Sequence, residues 1–149
     1  DKIVLFVGGG TPQVKRLDLA NESIAKAEKK MGKIKFLILK GNIPFDEMPL
    51  YYNAADCMLF TSDFEGSPCA IQEALACGLP IVTVDVGDVK ERLMGVTQCK
   101  IVDRDPNKIG NALFDTFNSS KRTNGPKLMS KLTTDLVIKK IIKVYQRII

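Results

Sequence analysis

Glu65 and Glu73 stand on either side of a helix start, and that arrangement has a chemistry of its own. Both lie in the stretch Thr61-Ser62-Asp63-Phe64-Glu65-Gly66-Ser67-Pro68-Cys69-Ala70-Ile71-Gln72-Glu73-Ala74-Leu75-Ala76-Cys77-Gly78-Leu79-Pro80. Ser67 can cap a helix here, Pro68 suits its first position, and Gly78 with Pro80 ends it. Glu65 then falls in the loop before the helix. Glu73 falls inside it, roughly 7–8 Å along the axis from Pro68 at about 1.5 Å per residue. Between them the first turn offers unpaired backbone N–H groups and the positive end of the helix dipole. Pro68 has no N–H, so Cys69 and Ala70 are the expected donors.

Carboxylates repel phosphate but accept hydrogen bonds from sugar hydroxyls, whereas a helix start attracts phosphate. A nucleoside diphosphate sugar carries hydroxyls at the ribose, then two phosphates, then hydroxyls again. Glu73 at the ribose, the helix start at the pyrophosphate and Glu65 at the sugar would match that order. A plainer reading also exists. An acidic residue near a helix N-terminus stabilises the dipole by a few tenths to ~1 kcal/mol, which would explain Glu65 with no ligand. Glu73 fits that reading less well, because it sits among Ala70, Ile71, Ala74 and Leu75 and needs a partner or a ligand. Spacing alone leaves both readings open.

The elements that must position these residues follow from the apolar pattern. Residues 3–7 form a short apolar run ending in Gly8-Gly9-Gly10, as a strand buried on both faces does before a turn. Leu17, Ala20, Ile24, Ala27 and Met31 recur at helical steps, closed by Gly32. Strands are expected at 36–39, 57–60, 81–84 and 100–102. Helices are expected at 46–54, 68–77, briefly after Asp88, and from Asp105-Pro106 with Ile109, Ala112, Leu113 and Phe117 facing inward. Apolar strands alternating with helices predict a Rossmann-like α/β domain, a parallel sheet flanked by helices. Ligands of such sheets bind beyond the carboxyl ends of the strands, so the loops after Val7, Leu39, Phe60 and Val84 are the functional ones. The nucleotide-sugar-binding domain is placed at 1–117, a polar loop or linker at 118–134, and an amphipathic helix at 135–149. That helix sets Val137, Ile138, Ile141, Ile142, Tyr145, Ile148 and Ile149 on one face, with Lys139, Lys140, Lys143 and Arg147 on the rest. It can lie on a membrane or pack as a terminal helix on a domain, and packing is the more favoured of the two.

Composition narrows the chemistry. The chain has 149 residues, 45% of them hydrophobic, which is enough for one domain with a real core. It opens at Asp1 with a strand close behind, so a longer parent chain is expected. No apolar run approaches a membrane span. There are no histidines, which rules out Ser-His and Cys-His catalysis and zinc sites built on His. The cysteines Cys57, Cys69, Cys77 and Cys99 form no CxxC pair and read as reduced thiols of a cytoplasmic protein. If the terminal helix lies on a membrane, the location becomes peripheral at the inner face. A net charge of +5 is spread along the chain without an aromatic-interleaved stripe, so no nucleic-acid partner is expected.

At the two glutamates the chain resembles the retaining glycosyltransferases of the GT-B fold, specifically family 4. Those enzymes have a Glu, seven intervening residues and a second Glu, here Glu65-Gly66-Ser67-Pro68 through Glu73-Ala74-Leu75-Ala76-Cys77-Gly78-Leu79-Pro80-Ile81-Val82. Tyr52-Asn53-Ala54-Ala55-Asp56, Thr61-Ser62, and Asp85-Val86-Gly87-Asp88 with Glu91 are similar to flanking family segments. The resemblance runs from about residue 3 to residue 117 and implies one half of a GT-B enzyme, its C-terminal donor-binding domain. It implies that Glu73 contacts the ribose hydroxyls and that Glu65, the catalytic residue, contacts the donor sugar. Lys15 aligns with the lysine on the pyrophosphate, though read alone it is an exposed lysine at a helix start. Gly9, Gly66, Ser67, Cys69 and Ala70 would complete the donor site, and Gly41, Asn42 and Ile43 match the loop that contacts the base.

Two features depart from the family. The pyrophosphate arginine usually found before the lysine is Gly9 here, so its contact is missing or comes from Arg16. The helix and strand usual after the second strand are also absent, which makes this a compact form. The expected partners are a UDP- or GDP-linked sugar and an N-terminal acceptor domain of the same chain, with no cofactor and no metal. The isolated fragment is then expected to be inactive. The competing reading is a non-catalytic module that binds a nucleotide sugar or regulates a partner. A sugar-nucleotide 2-epimerase shares the overall fold, but the absence of histidine argues against it.

Overall fold

The computed structural model describes residues 2–119 and 121–147, without the side chain of Pro12. Asp1, Ser120, Ile148 and Ile149 lie outside the described residues, including the last two positions of the apolar face expected on the C-terminal helix. Five strands form one parallel sheet: β1 (Lys2–Val7), β2 (Ile34–Leu39), β3 (Cys57–Phe60), β4 (Ile81–Thr83) and β5 (Lys100–Ile101). Their spatial order is β2-β1-β3-β4-β5. The longest edge strand is therefore β2, and the opposite edge is the two-residue β5. All four residues of β3 are buried, as are Val4, Leu5 and Phe6 in the centre of β1. That is why these segments read as uninterrupted apolar runs.

The helices between the strands are α1 (Pro12–Lys15), α2 (Leu17–Met31), α3 (Met48–Ala54), α4 (Cys69–Ala76) and α5 (Val89–Arg92). After β5 come α6 (Pro106–Ser119), α7 (Gly125–Met129), a 3-10 turn (Ser130–Leu132) and α8 (Thr134–Tyr145). Helix α2 packs on α6, and α3 packs on α4. Right-handed crossovers explain the pairing, because the chain leaves β1 towards β2 in one direction and runs from β2 through β3 to β4 in the other. Gly110 lets the first pair come close: a Cβ there would lie 2.8 Å from Cβ of Lys26 and 3.1 Å from the Ser23 carbonyl oxygen.

Three expectations differ from the structure. The start of α4 is not capped by Ser67; Pro68 holds the cap position, and no side chain caps the helix. The hydroxyl of Ser67 instead accepts hydrogen bonds from Gln72 Nε2 and Arg92 Nη2, both at 3.1 Å. Second, the segment 118–134 contains the end of α6, α7 and the 3-10 turn, and its Thr123 and Gly125 are buried. Its polarity is misleading because the segment straps α4 through backbone: the Thr123 N–H donates to the Gly78 carbonyl at 2.9 Å. Third, α8 buries none of its described residues against this chain, whereas packing on a domain is the favoured expectation. Among the described residues no helix is long and apolar enough to cross a membrane.

Candidate functional site

Strand order fixes where a ligand can enter. The chain departs from β1 to one side and from β3 to the other, so the loops after these adjacent strands diverge and leave a crevice at their carboxyl ends. Lys15, the last residue of α1, comes from the connection after β1, and Glu65 from the loop after β3. Lys15 Nζ donates to Glu65 Oε1 at 2.6 Å, with the two side chains 21% and 16% exposed. The ammonium also lies over the Phe60 ring, 5.5 Å from its centre. A lysine has three donors, so the pairing leaves two for another acceptor.

Backbone contacts hold the two loops in register. The Thr61 hydroxyl donates to the carbonyls of Lys15 and Arg16 at 2.9 and 3.1 Å, and the Asp63 N–H donates to the Val14 carbonyl at 2.8 Å. A third loop presses in from the end of β4. Gly87 has φ +56°, and a Cβ on it would collide with the carbonyl oxygens of Glu65 and Gly66. Next to it, the Asp88 N–H donates to the Gly66 carbonyl at 3.0 Å. The Asp88 carboxylate pairs with Arg92 at 2.8 Å. Burial works against its charge, but hydrogen bonds from Ser67 and Arg92 outweigh that and hold its carboxyl below the usual range.

Gly9 and Gly41 meet backbone to backbone. A Cβ on Gly9 would lie 3.3 Å from the Gly41 Cα, and Gly41 itself has φ +83°. Asn42 is exposed, and Ile43 packs partly against the core. A cavity of about 320 Å³ opens beside these loops, lined by Phe6, Gly8, Gly10, Lys15, Leu17, Ile38 and Lys40. At the start of α4 the Ile71 N–H is taken by the Pro68 carbonyl at 3.2 Å. The N–H groups of Cys69 and Ala70 make no hydrogen bond among the described residues.

Glu73 lies elsewhere on α4. Its Oε2 accepts a hydrogen bond from the Tyr52 hydroxyl at 2.7 Å, and its side chain makes no ion pair among the described residues. It borders a nearly apolar hollow of about 270 Å³, with Phe45, Asp46, Met48, Pro49, Tyr52, Ala76 and Cys77. The hollows at Lys15 and at Glu73 share no lining residue. The structure therefore brings Lys15 and Glu65 together, and Gly9 with Gly41, while Glu73 stands at a separate depression.

Arg16, the alternative source of the contact that Gly9 lacks, is held by two carboxylates. Its guanidinium donates to Asp18 at 2.9 Å and to Asp63 at 3.3 Å, and the hydrogen bond to Asp18 is the main reason its pKa is raised. Sequence reasoning also missed Arg104, which donates to the Ser62 carbonyl at 2.8 Å and to Asp63 at 3.1 Å. It lies in Asp103-Arg104-Asp105, an Asp-x-Asp pair. Asp105 Oδ1 accepts from the backbone N–H groups of Asn107 and Lys108, both at 2.8 Å, so it caps α6. Asp103 pairs with Lys108. Burial pushes the Cys57 and Cys77 thiols up, and the Cys99 thiol up to about 11, so none of these three offers a thiolate at neutral pH.

Solved structures share this fold. Sucrose-phosphate synthase from Thermosynechococcus elongatus superposes with a TM-score of 0.73 at 20% identity, over 99% of this chain and 45% of that one. The pneumococcal O-GlcNAc transferase GtfA, solved with UDP and GlcNAc, gives 0.72 at 13% identity, over 97% of this chain and 35% of that one. Anabaena Alr3699/HepE, solved with UDP and glucose, gives 0.69 at 16% identity, over 100% of this chain and 49% of that one. The chain spans less than half the length of each. A search of curated protein sequences finds no match. The fold is that of one half of a GT-B glycosyltransferase. With the family model matching residues 4–118, the chain belongs to the glycosyl transferases group 1.

Proposed function

We propose that this chain is the donor-binding domain of a retaining, family 4-type glycosyltransferase that moves a hexose from a UDP- or GDP-linked donor to a glycan or lipid-linked acceptor. The observation that carries the reading is the meeting of Lys15 and Glu65 across the crevice between β1 and β3. A pyrophosphate entering there takes the remaining donors of Lys15 and the amides of Cys69 and Ala70, while Glu65 turns to the hydroxyls of the sugar. Glu73, which makes no ion pair among the described residues, accepts from the ribose hydroxyls. Charge that builds on the departing diphosphate is stabilised by the ammonium and the helix start, which are fixed before reaction begins. Neither a metal nor a cofactor is assigned a role. Gly41, Asn42 and Ile43 face the base, and the acceptor is held by an N-terminal domain of a longer chain, whose loss leaves this half inactive.

A second reading, a module that binds a sugar nucleotide without transferring it, draws on Gly9 in place of an arginine and on the existing Lys15–Glu65 pair. Thermal unfolding with UDP, GDP, ADP and their sugar conjugates tests the binding common to both readings. A ligand at one hundred times its dissociation constant stabilises by ~2.7 kcal/mol, and for a chain of this size that raises the midpoint by roughly 5–10 °C. Glu73→Ala is expected to abolish most of the shift, and Glu65→Ala to weaken only the sugar-bearing ligands. No shift with any nucleotide would overturn both readings. Transfer by the longer natural chain separates them.

A further inference from the structure

We propose that Tyr52 is a positioning residue for Glu73, holding one carboxylate oxygen so that the other faces a ribose diol. The inference rests on the reading that Glu73 receives the ribose hydroxyls. Tyr52 is 1% exposed, and its hydroxyl reaches Glu73 Oε2 at 2.7 Å from the neighbouring helix α3. Burial, and then the hydrogen bond to Glu73, raise the Tyr52 pKa well above the usual phenol value, so the group keeps its proton and acts only as donor towards the carboxylate. A glutamate on a helix surface otherwise samples several rotamers, and its terminal torsion is broad. The Tyr52 hydroxyl removes that freedom on one oxygen and leaves Oε1 for a ligand.

Helix α3 is itself pinned, so the phenol is a fixed point. Arg122, from the strap after α6, donates through Nη2 to the carbonyls of Asn53 at 2.6 Å and Tyr52 at 3.4 Å, and through Nη1 to that of Ala55 at 3.2 Å. These are the last carbonyls of the helix, where a cation is most favourable. Arg122, the end of α3, Tyr52 and Glu73 thus form one chain of contacts leading from the far end of α3 to the ribose position. The Tyr52–Glu73 contact is a neutral donor on a carboxylate that makes no ion pair among the described residues. An ion pair would instead reduce its pull on a diol.

The experiment is calorimetric titration of the whole chain with UDP, GDP and ADP and with their 2′,3′-dideoxy forms, for wild type and Tyr52→Phe. Tyr52→Phe keeps the ring and removes one hydrogen bond, so the preference for the ribose form is expected to fall about three- to tenfold, while affinity for the dideoxy form is unchanged. Equal weakening of both forms would mean a structural role only and would overturn the proposal. An unchanged preference would overturn it while leaving the donor-site reading intact. Failure of wild type to bind any of the three would overturn both. A measurement that needs no variant follows the Tyr52 hydroxyl proton of the wild-type chain by NMR. Its resonance should move on adding the bound nucleotide and stay in place with the dideoxy form, and movement with both would count against the proposal.

Discussion

At the scale of single residues, Lys15 is the most informative group because it has two occupations. In the structure it neutralises Glu65 and rests on Phe60; in the proposed complex it turns part of its hydrogen-bonding capacity to a diphosphate. A charge-assisted hydrogen bond contributes about 1.5–3 kcal/mol, so Lys15→Ala should weaken nucleoside diphosphates by roughly ten- to one-hundredfold. Binding of the unphosphorylated nucleoside should not change, and the salt dependence of diphosphate binding should flatten. Titration at two ionic strengths checks this, and an equal loss for nucleoside and diphosphate would contradict it. Removing the lysine also leaves Glu65 without its cation, which destabilises the free form. Part of any loss in binding would therefore be masked, so the ratio between the two ligands is the safer reading.

At the scale of elements, the loops matter more than the helices. Gly87 works through the shape of the loop it presses on, and a methyl group there must displace the carbonyls of Glu65 and Gly66 at a positive φ. Gly87→Ala should therefore lower sugar-nucleotide affinity about three- to tenfold, the scale of one hydrogen bond lost where Glu65 is displaced. Thermal unfolding should show a loss of about 1–3 kcal/mol beside it, the usual range for backbone strain. Normal binding with a normal melting point would show that the loop has slack.

The same loops mark the limit of what the sequence made legible. Strands β1 to β4 were readable because each contains an apolar run with turn residues after it, and the bounds of β3 match the expected 57–60. The helix over Glu73 was readable from its proline and glycine punctuation. Contacts across elements were not. Ser67 has the chemistry of a cap, yet its hydroxyl goes to Arg92, twenty-five positions away, because folding brings that guanidinium within 3.1 Å. The Tyr52–Glu73 bond depends on how α3 crosses α4, which no local pattern encodes. That Lys15 and Glu65 would touch followed from neither residue's own surroundings, since it needs the strand order.

At the scale of the whole molecule, stability resides in the sheet and its paired helices, while α8 adds a solvated arm. Its Ile141 and Ile142 are 49% and 48% exposed. Ending the chain at Thr133 should therefore leave the unfolding free energy within ~1 kcal/mol of that of the full chain, the scale of surface changes. A larger drop would reveal packing of α8 that the structure does not show. The open side of the sheet has its own consequence. Strand β2 ends the array with six residues whose outer hydrogen-bonding groups meet no further strand. Lys33, Lys35 and Lys40 stand exposed along that border, so a second molecule laid against it would set ammonium against ammonium. The border is thereby protected against runaway β-pairing between copies, and acetylating those lysines would remove the protection and favour fibrillar assembly.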